Sequence, residues 1–115
     1  MKNSTSLKKN SDFKKVYNLG QSRADRYLVM YILENGLKIN RLGISVSKKV
    51  GNSVIRHHIT RLVRENYRVK EDLYHTGYDI VIIARNRASD ITYRDVEKSL
   101  LKLSGLHGII TDESI

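Results

Sequence analysis

"KKVGNSVIRHHITRLVRENYR", from Lys48 to Arg68, decides how the rest of the chain is read. It carries two lysines, four arginines and two histidines, yet its aliphatic residues recur at helical spacing. At about 100° per residue, Ile55, Ile59, Leu62 and Val63 form one apolar stripe. His57, Arg61, Arg64 and Arg68 fall on the opposite side, with Arg56 toward its edge. Asn52 or Ser53 suits the N-cap, which predicts a helix running to about Val69. Before it, "KINRLGISVS" alternates. Leu42, Ile44 and Val46 point one way, and Arg41, Gly43, Ser45 and Ser47 the other. After it, "YDIVIIA" is a short continuous apolar run of the type buried on both faces. Strand, helix and buried strand make a β-α-β unit, whose two strands are parallel.

Working outward, "RYLVMYILE" reads as another strand. Asn35-Gly36 follows it and predicts a two-residue hairpin into "KINRLGISVS". A first helix is expected from Asp12 to Leu19, capped by Asn10 or Ser11 and stopped at Gly20. Phe13, Val16 and Tyr17 share one of its faces. "RNRASD" reads as a polar loop. Thr92 caps a last helix from Tyr93 to about Ser104, with Val96, Leu100 and Leu103 toward the core. Residues 1–9 are basic and expected to be mobile, and residues 105–115 form a weakly specified tail.

The 115 residues make one domain, 1–115, with enough apolar content (40%) for a small core. There is no cysteine, which excludes a disulfide framework, a Cys-zinc site and a cysteine nucleophile. No secretory signal or membrane span is expected, because the apolar runs are far shorter than the roughly 20 residues a span needs. A cytoplasmic location fits. The charge is uneven: residues 1–70 hold 16 Lys+Arg against 4 Asp+Glu, and residues 71–115 hold 5 against 8. The first part is therefore +12, the second −3, and the sum is the net +9. Such a chain points to a polyanionic partner, most commonly nucleic acid.

The central helix strengthens that reading. A merely solvated helix face mixes signs at i, i+4. Here Glu65 is the only acid between Lys48 and Lys70. The arginine fork suits phosphate, and Lys48, Lys49 and the free N–H groups near Asn52 add positive potential where the helix begins. His57 and His58 do not read as an acid–base pair. On a helix they diverge by about 100°, with no carboxylate well placed to orient either ring. His58 is expected beside the core and His57 on the basic face. No two histidines lie at i, i+4 and no acidic cluster joins them, so no metal site is expected. The aromatics form a second constellation. Phe13 and Tyr17 share a helix face, and Tyr27 and Tyr31 share a strand face. Rings lining a groove would stack the bases of an unpaired strand, while Phe13 can also anchor its helix in the core. Lys14, Lys15 and Arg26 lie near enough in the chain to hold its phosphates.

"SVSKKVGNSVIRHHITRLVRENYR" resembles the signature of the bacterial ribonuclease P protein family, roughly K-x-G-x-A-V-x-R-N-x-x-K-R-x-x-R-E. Lys49, Gly51, Val54, Arg56, Arg61, Arg64 and Glu65 meet it. "NSDFKKVYNLG", "RYLVMYIL" and "YDIVIIARNRASDITYRD" extend the resemblance over about residues 8–104. Ser53 replaces the usual alanine, His57 stands where the family has asparagine, and Thr60 where it usually has lysine. The resemblance implies an α+β sandwich of the ribosomal protein S5 domain 2-like type. Its mixed sheet would carry a β-α-β crossover that is left-handed, against the usual rule. It also implies the protein subunit of a ribonucleoprotein endonuclease, in which the RNA subunit and Mg²⁺ remove the 5′ leader of precursor tRNA. The protein would bind the catalytic RNA and the leader and supply no catalytic residue. Mg²⁺ would be held mainly by the RNA subunit and substrate, and no obligate protein partner is implied. The competing reading is a structural ribosomal or RNA-assembly protein without a role in cleavage.

Overall fold

The computed structural model describes residues 1–111. Five strands form one sheet: β1 (Ser4–Ser6), β2 (Gln21–Ala24), β3 (Leu28–Glu34), β4 (Asn40–Val46) and β5 (Tyr78–Ala84). Three helices accompany them: α1 (Asn10–Leu19), α2 (Ser53–Lys70) and α3 (Tyr93–His107). The strand order is β1-β4-β5-β3-β2. β5 runs parallel to β4 and antiparallel to β3, so β4-α2-β5 is the β-α-β unit that the apolar patterns require. The predicted β3–β4 hairpin does not form. Gly36 adopts its positive φ of 69°, but β5 lies between the two strands. The run "IVII" is apolar on both sides and gains most from the central position.

The sheet has a helix layer on each face. On one side, α2 and α3 cover Leu28, Met30, Leu42, Ile80 and Ile82, and contribute Ile59, Val63, Tyr67, Val96 and Leu103. On the other, α1 brings Val16 against Val81 and Leu7, with Phe13, Tyr31 and Ile83 packed around them. Gly20 ends α1 for reasons of space. Its φ is an ordinary −80°, but a Cβ there would meet the carbonyl oxygens of Val16 and Ile32 at 2.5 and 2.6 Å. α2 is capped by Asn52, whose side chain accepts from Ile55 N at 3.0 Å. Thr92 and Asp95 form a reciprocal capping box on α3.

The two ends of the chain differ from expectation. Instead of a mobile segment, Ser4–Ser6 forms an edge strand parallel to β4, and Leu7 is buried. The buried Glu71 carboxylate accepts from the N–H groups of Lys2 and Asn3 at 2.7 and 3.1 Å. Ser4 Oγ hydrogen-bonds the Tyr67 hydroxyl at 2.7 Å. Asn40, also buried, donates to Tyr67 Oη and to the His75 carbonyl, and accepts from Tyr78 N. These partners lie 27 to 69 residues apart, so a local reading of the basic N-terminus misses them. At the other end, α3 continues to His107, Gly108 adopts the left-handed cap, and Ile109 is buried. The remainder of the predicted weak tail, 112–115, lies outside the described residues. "RNRASD" is a 3-10 turn that buries Ala88.

Candidate nucleic-acid interface

The outward side of α2 carries the expected cations. His57, Arg61, Arg64 and Arg68 are all exposed. Arg68 is engaged by Glu65 in a two-point ion pair at 3.0 and 2.6 Å. Arg61 and Arg64 have no ion-pair partner among the described residues. Lys48 and Lys49 are exposed in the turn that joins β4 to α2, and Asn52 is exposed at the cap. This side of α2 turns its charge to solvent.

Arg56 is a correction. The buried stripe is centred on Ile59, Val63, Asn66 and Tyr67, further round the helix than Leu62 suggested. Arg56 lies roughly 20° from Val63 around the axis, is only half-exposed, and buries an Nε without a protein partner. It is a flank residue beside the core. His58 differs in the opposite sense, being exposed where the boundary of the core was expected.

The second site lies across the sheet. α1 leaves a cleft of about 360 Å³ lined by Asn10, Phe13, Lys14, Tyr17, Ile44 and Ser45. The Tyr17 ring stands edge-on to Tyr31 at 5.1 Å and tilted to Phe13 at 6.3 Å. Phe13 lies over Gly43, where a Cβ would come within 2.6 Å of the ring. One ring therefore serves both the small core and the cleft. Burial raises the Tyr17 phenol above its usual range, partly offset by the Ser45 hydroxyl. Arg41 of β4 ties α1 to the sheet, gripping Asp79 at 2.6 and 2.8 Å and reaching Asp12 of α1 at 3.5 Å. β4 leaves this cleft and runs directly into the Lys48–Lys49 turn, so one strand joins the two sites.

Four expected groove residues are not among those lining the cleft: half-buried Tyr31 meets it only through Tyr17, and three lie elsewhere. Asp25 accepts from the N–H groups of Tyr27 and Leu28 at 3.0 Å, a turn that breaks strand alternation just before Leu28. Tyr27 consequently packs against the α2–α3 core and not beside Tyr31. Arg26 follows it, 5.7 Å over the Tyr27 ring. Lys15 is exposed on α1 about 160° round the axis from Tyr17 and does not line the cleft. Asn10 and Ser45 are lining residues that the sequence reading did not assign. The alternation of β4, which puts Ser45 with Gly43, contained the signal for Ser45.

No three His, Asp or Glu side chains converge as metal ligands among the described residues. His107 is not free for chemistry, since its Nε2 lies 2.9 Å from the Met30 carbonyl. Burial lowers its pKa, outweighing that bond. No helix among the described residues is long and apolar enough to cross a membrane.

Residues 1–106 match the family model described as Ribonuclease P. The chain is similar to the ribonuclease P protein component of Lachnoclostridium phytofermentans, 52% identical over 94% of this chain and 93% of that one. It is 48% identical to that of Alkaliphilus metalliredigens, over 90% and 93%. Among solved structures, the Staphylococcus aureus RNase P protein superposes with a TM-score of 0.85 at 39% identity, covering 92% of this chain and 97% of that one. The Thermotoga maritima RNase P protein gives 0.79 at 32%, covering 85% and 93%.

Proposed function

The chain belongs to the ribonuclease P protein family, and from that premise we propose how it divides its work between two RNAs. It is the protein subunit of a tRNA-processing ribonucleoprotein. The outward cations of α2, with Lys48 and Lys49, bind phosphates of the RNA subunit. The cleft beside α1 receives the unpaired 5′ leader of precursor tRNA, stacking bases on Tyr17, Tyr31 and the open edge of Phe13, with Lys14 on a phosphate. Hydrolysis belongs to the RNA subunit. Mg²⁺ is held mainly by that RNA and by substrate phosphates.

The observation that carries this reading is the coexistence of a cationic helix face and a separate ring-lined cleft joined by β4. A structural RNA-assembly protein needs only the former. The test is incubation of purified protein with precursor tRNA, with and without the RNA subunit, in Mg²⁺. Cleavage at the leader junction is expected only when the RNA subunit is present, and protein should lower the substrate and Mg²⁺ concentrations required. Cleavage by protein alone would replace this reading with a protein-only nuclease. No effect of protein on the RNA-catalysed reaction would leave an assembly role.

A further inference from the structure

Two adjoining clefts lie along α2, away from the cleft beside α1. One, of about 550 Å³, is lined by Ser53, Val54, His57, His58 and Arg61. The other, of about 380 Å³, is lined by His58, Arg61, Leu62, Arg64, Glu65 and Tyr93. His58 and Arg61 belong to both, so the two form one trough. Tyr93, the first residue of α3, closes its end with a side chain that stays 41% exposed.

An exposed tyrosine is ordinary by itself. This one is held in place. Asn66 is buried in α2 at 2% exposure and donates from Nδ2 to the Tyr93 carbonyl at 3.3 Å. The Thr92–Asp95 capping box fixes the same turn, with both bonds at 3.1 Å. The ring is therefore presented from a rigid backbone at the mouth of a cleft whose volume suits a small organic group. The charge around it is positive. Arg61 and Arg64 are unpaired among the described residues, and Glu65 is occupied by Arg68.

Phosphate alone has no use for the ring, and a continuous duplex keeps its bases stacked inside. The ligand that uses both features is a nucleotide turned out of its helix, as in a bulge or loop. We infer that the trough between α2 and Tyr93 binds one unpaired, unstacked nucleotide of the RNA subunit, with its base on the Tyr93 ring and its phosphate on Arg61. This rests on the assignment of α2 to the RNA subunit. It turns a phosphate grip, which carries no sequence information, into a fixed point of register. Stacking accepts any base, so the site reads the unpaired state and not the identity of the base.

The test is the affinity of the full-length protein for the RNA subunit across a salt series. Tyr93→Ala should weaken binding by about five- to 150-fold, the range of one stacked base, with an unchanged slope of log K against log salt. Tyr93→Trp should restore it. Arg61→Ala should lower the slope by about one unit. Unchanged binding by Tyr93→Ala, with Arg61→Ala still lowering the slope, overturns the base site and leaves α2 as a phosphate surface. Unchanged behaviour of both variants overturns both assignments. Failure of Tyr93→Trp to restore affinity, in a protein with an unaltered melting profile, shows that the lost binding was not base stacking and also overturns the site.

Discussion

The two faces of the sheet carry their helices differently. α2 and α3 together cover one face, and the cations of α2 turn away from the core. α1 alone covers the other face and leaves a cleft in which Phe13, Tyr17 and Ser45 are still accessible. The difference follows from how many apolar residues each helix brings. α1 buries only Val16 completely, whereas α2 buries Ile59, Val63, Asn66 and Tyr67. A fully seated helix leaves only its outer side for function, which suits the convex surface of folded RNA. A partly seated helix leaves a concave edge, which suits a single strand.

The contrast breaks most visibly at the arginines. Replacing Arg61, Arg64 and Arg68 together by alanine should weaken RNA-subunit binding on the order of a hundredfold or more and flatten the salt slope by roughly two to three units. Measured in the assembled particle at saturating protein, the ratio of precursor to mature tRNA affinity should stay the same. A fall in that ratio would mean that the two faces do not act separately. The rings give the reciprocal result. Tyr17→Ala and Tyr31→Ala should each cost about 1–3 kcal/mol of precursor tRNA affinity, with mature tRNA and RNA-subunit affinities unchanged. If the ratio is unaltered in a normally folded variant, the leader binds elsewhere and the cleft is packing.

The last expected effect falls on stability and not on RNA affinity, and concerns the strand that braces both faces. β1 is held by Glu71 beyond the end of α2, and it leads through buried Leu7 into α1. Burial pushes the Glu71 carboxyl upward, but the Ser4 hydroxyl and the Lys2 and Asn3 N–H groups outweigh it, so its pKa lies below the ordinary 4.5. A carboxyl depressed by folding stabilises the protein above its unfolded value and loses that contribution as pH falls through the folded value. Glu71→Gln should therefore cost roughly 1–3 kcal/mol at neutral pH and show a shallower loss of stability on acidification below about 4.5. Urea unfolding between pH 3 and 7 measures both. Equal acid dependence in the two proteins would remove Glu71 as the clamp.

Much of this molecule was legible in the sequence because periodicity and capping are properties of one element. The 3.6-residue spacing fixed α2 and turned Arg61 and Arg64 outward. The continuous run in β5 required a buried strand parallel to β4, and Thr92 marked the start of α3. Tyr17 and Phe13 were placed together for the same reason. What depended on distant partners was settled only by packing. β5 displaced the β3–β4 hairpin because a strand apolar on both sides loses most at an edge. The polar N-terminus became a strand because Glu71, Asn40 and Tyr67 supply its hydrogen bonds from far along the chain. Tyr27 and Arg26 left the cleft because the Asp25 turn reset their side of the sheet. Arg56 moved to a flank because Tyr67, a tyrosine that hydropathy does not mark as core, is buried against β1 and draws the seated side of α2 round toward it. A sequence states which side of an element is apolar, but which neighbour covers it, and how far round, is fixed by contacts between residues that the chain keeps apart.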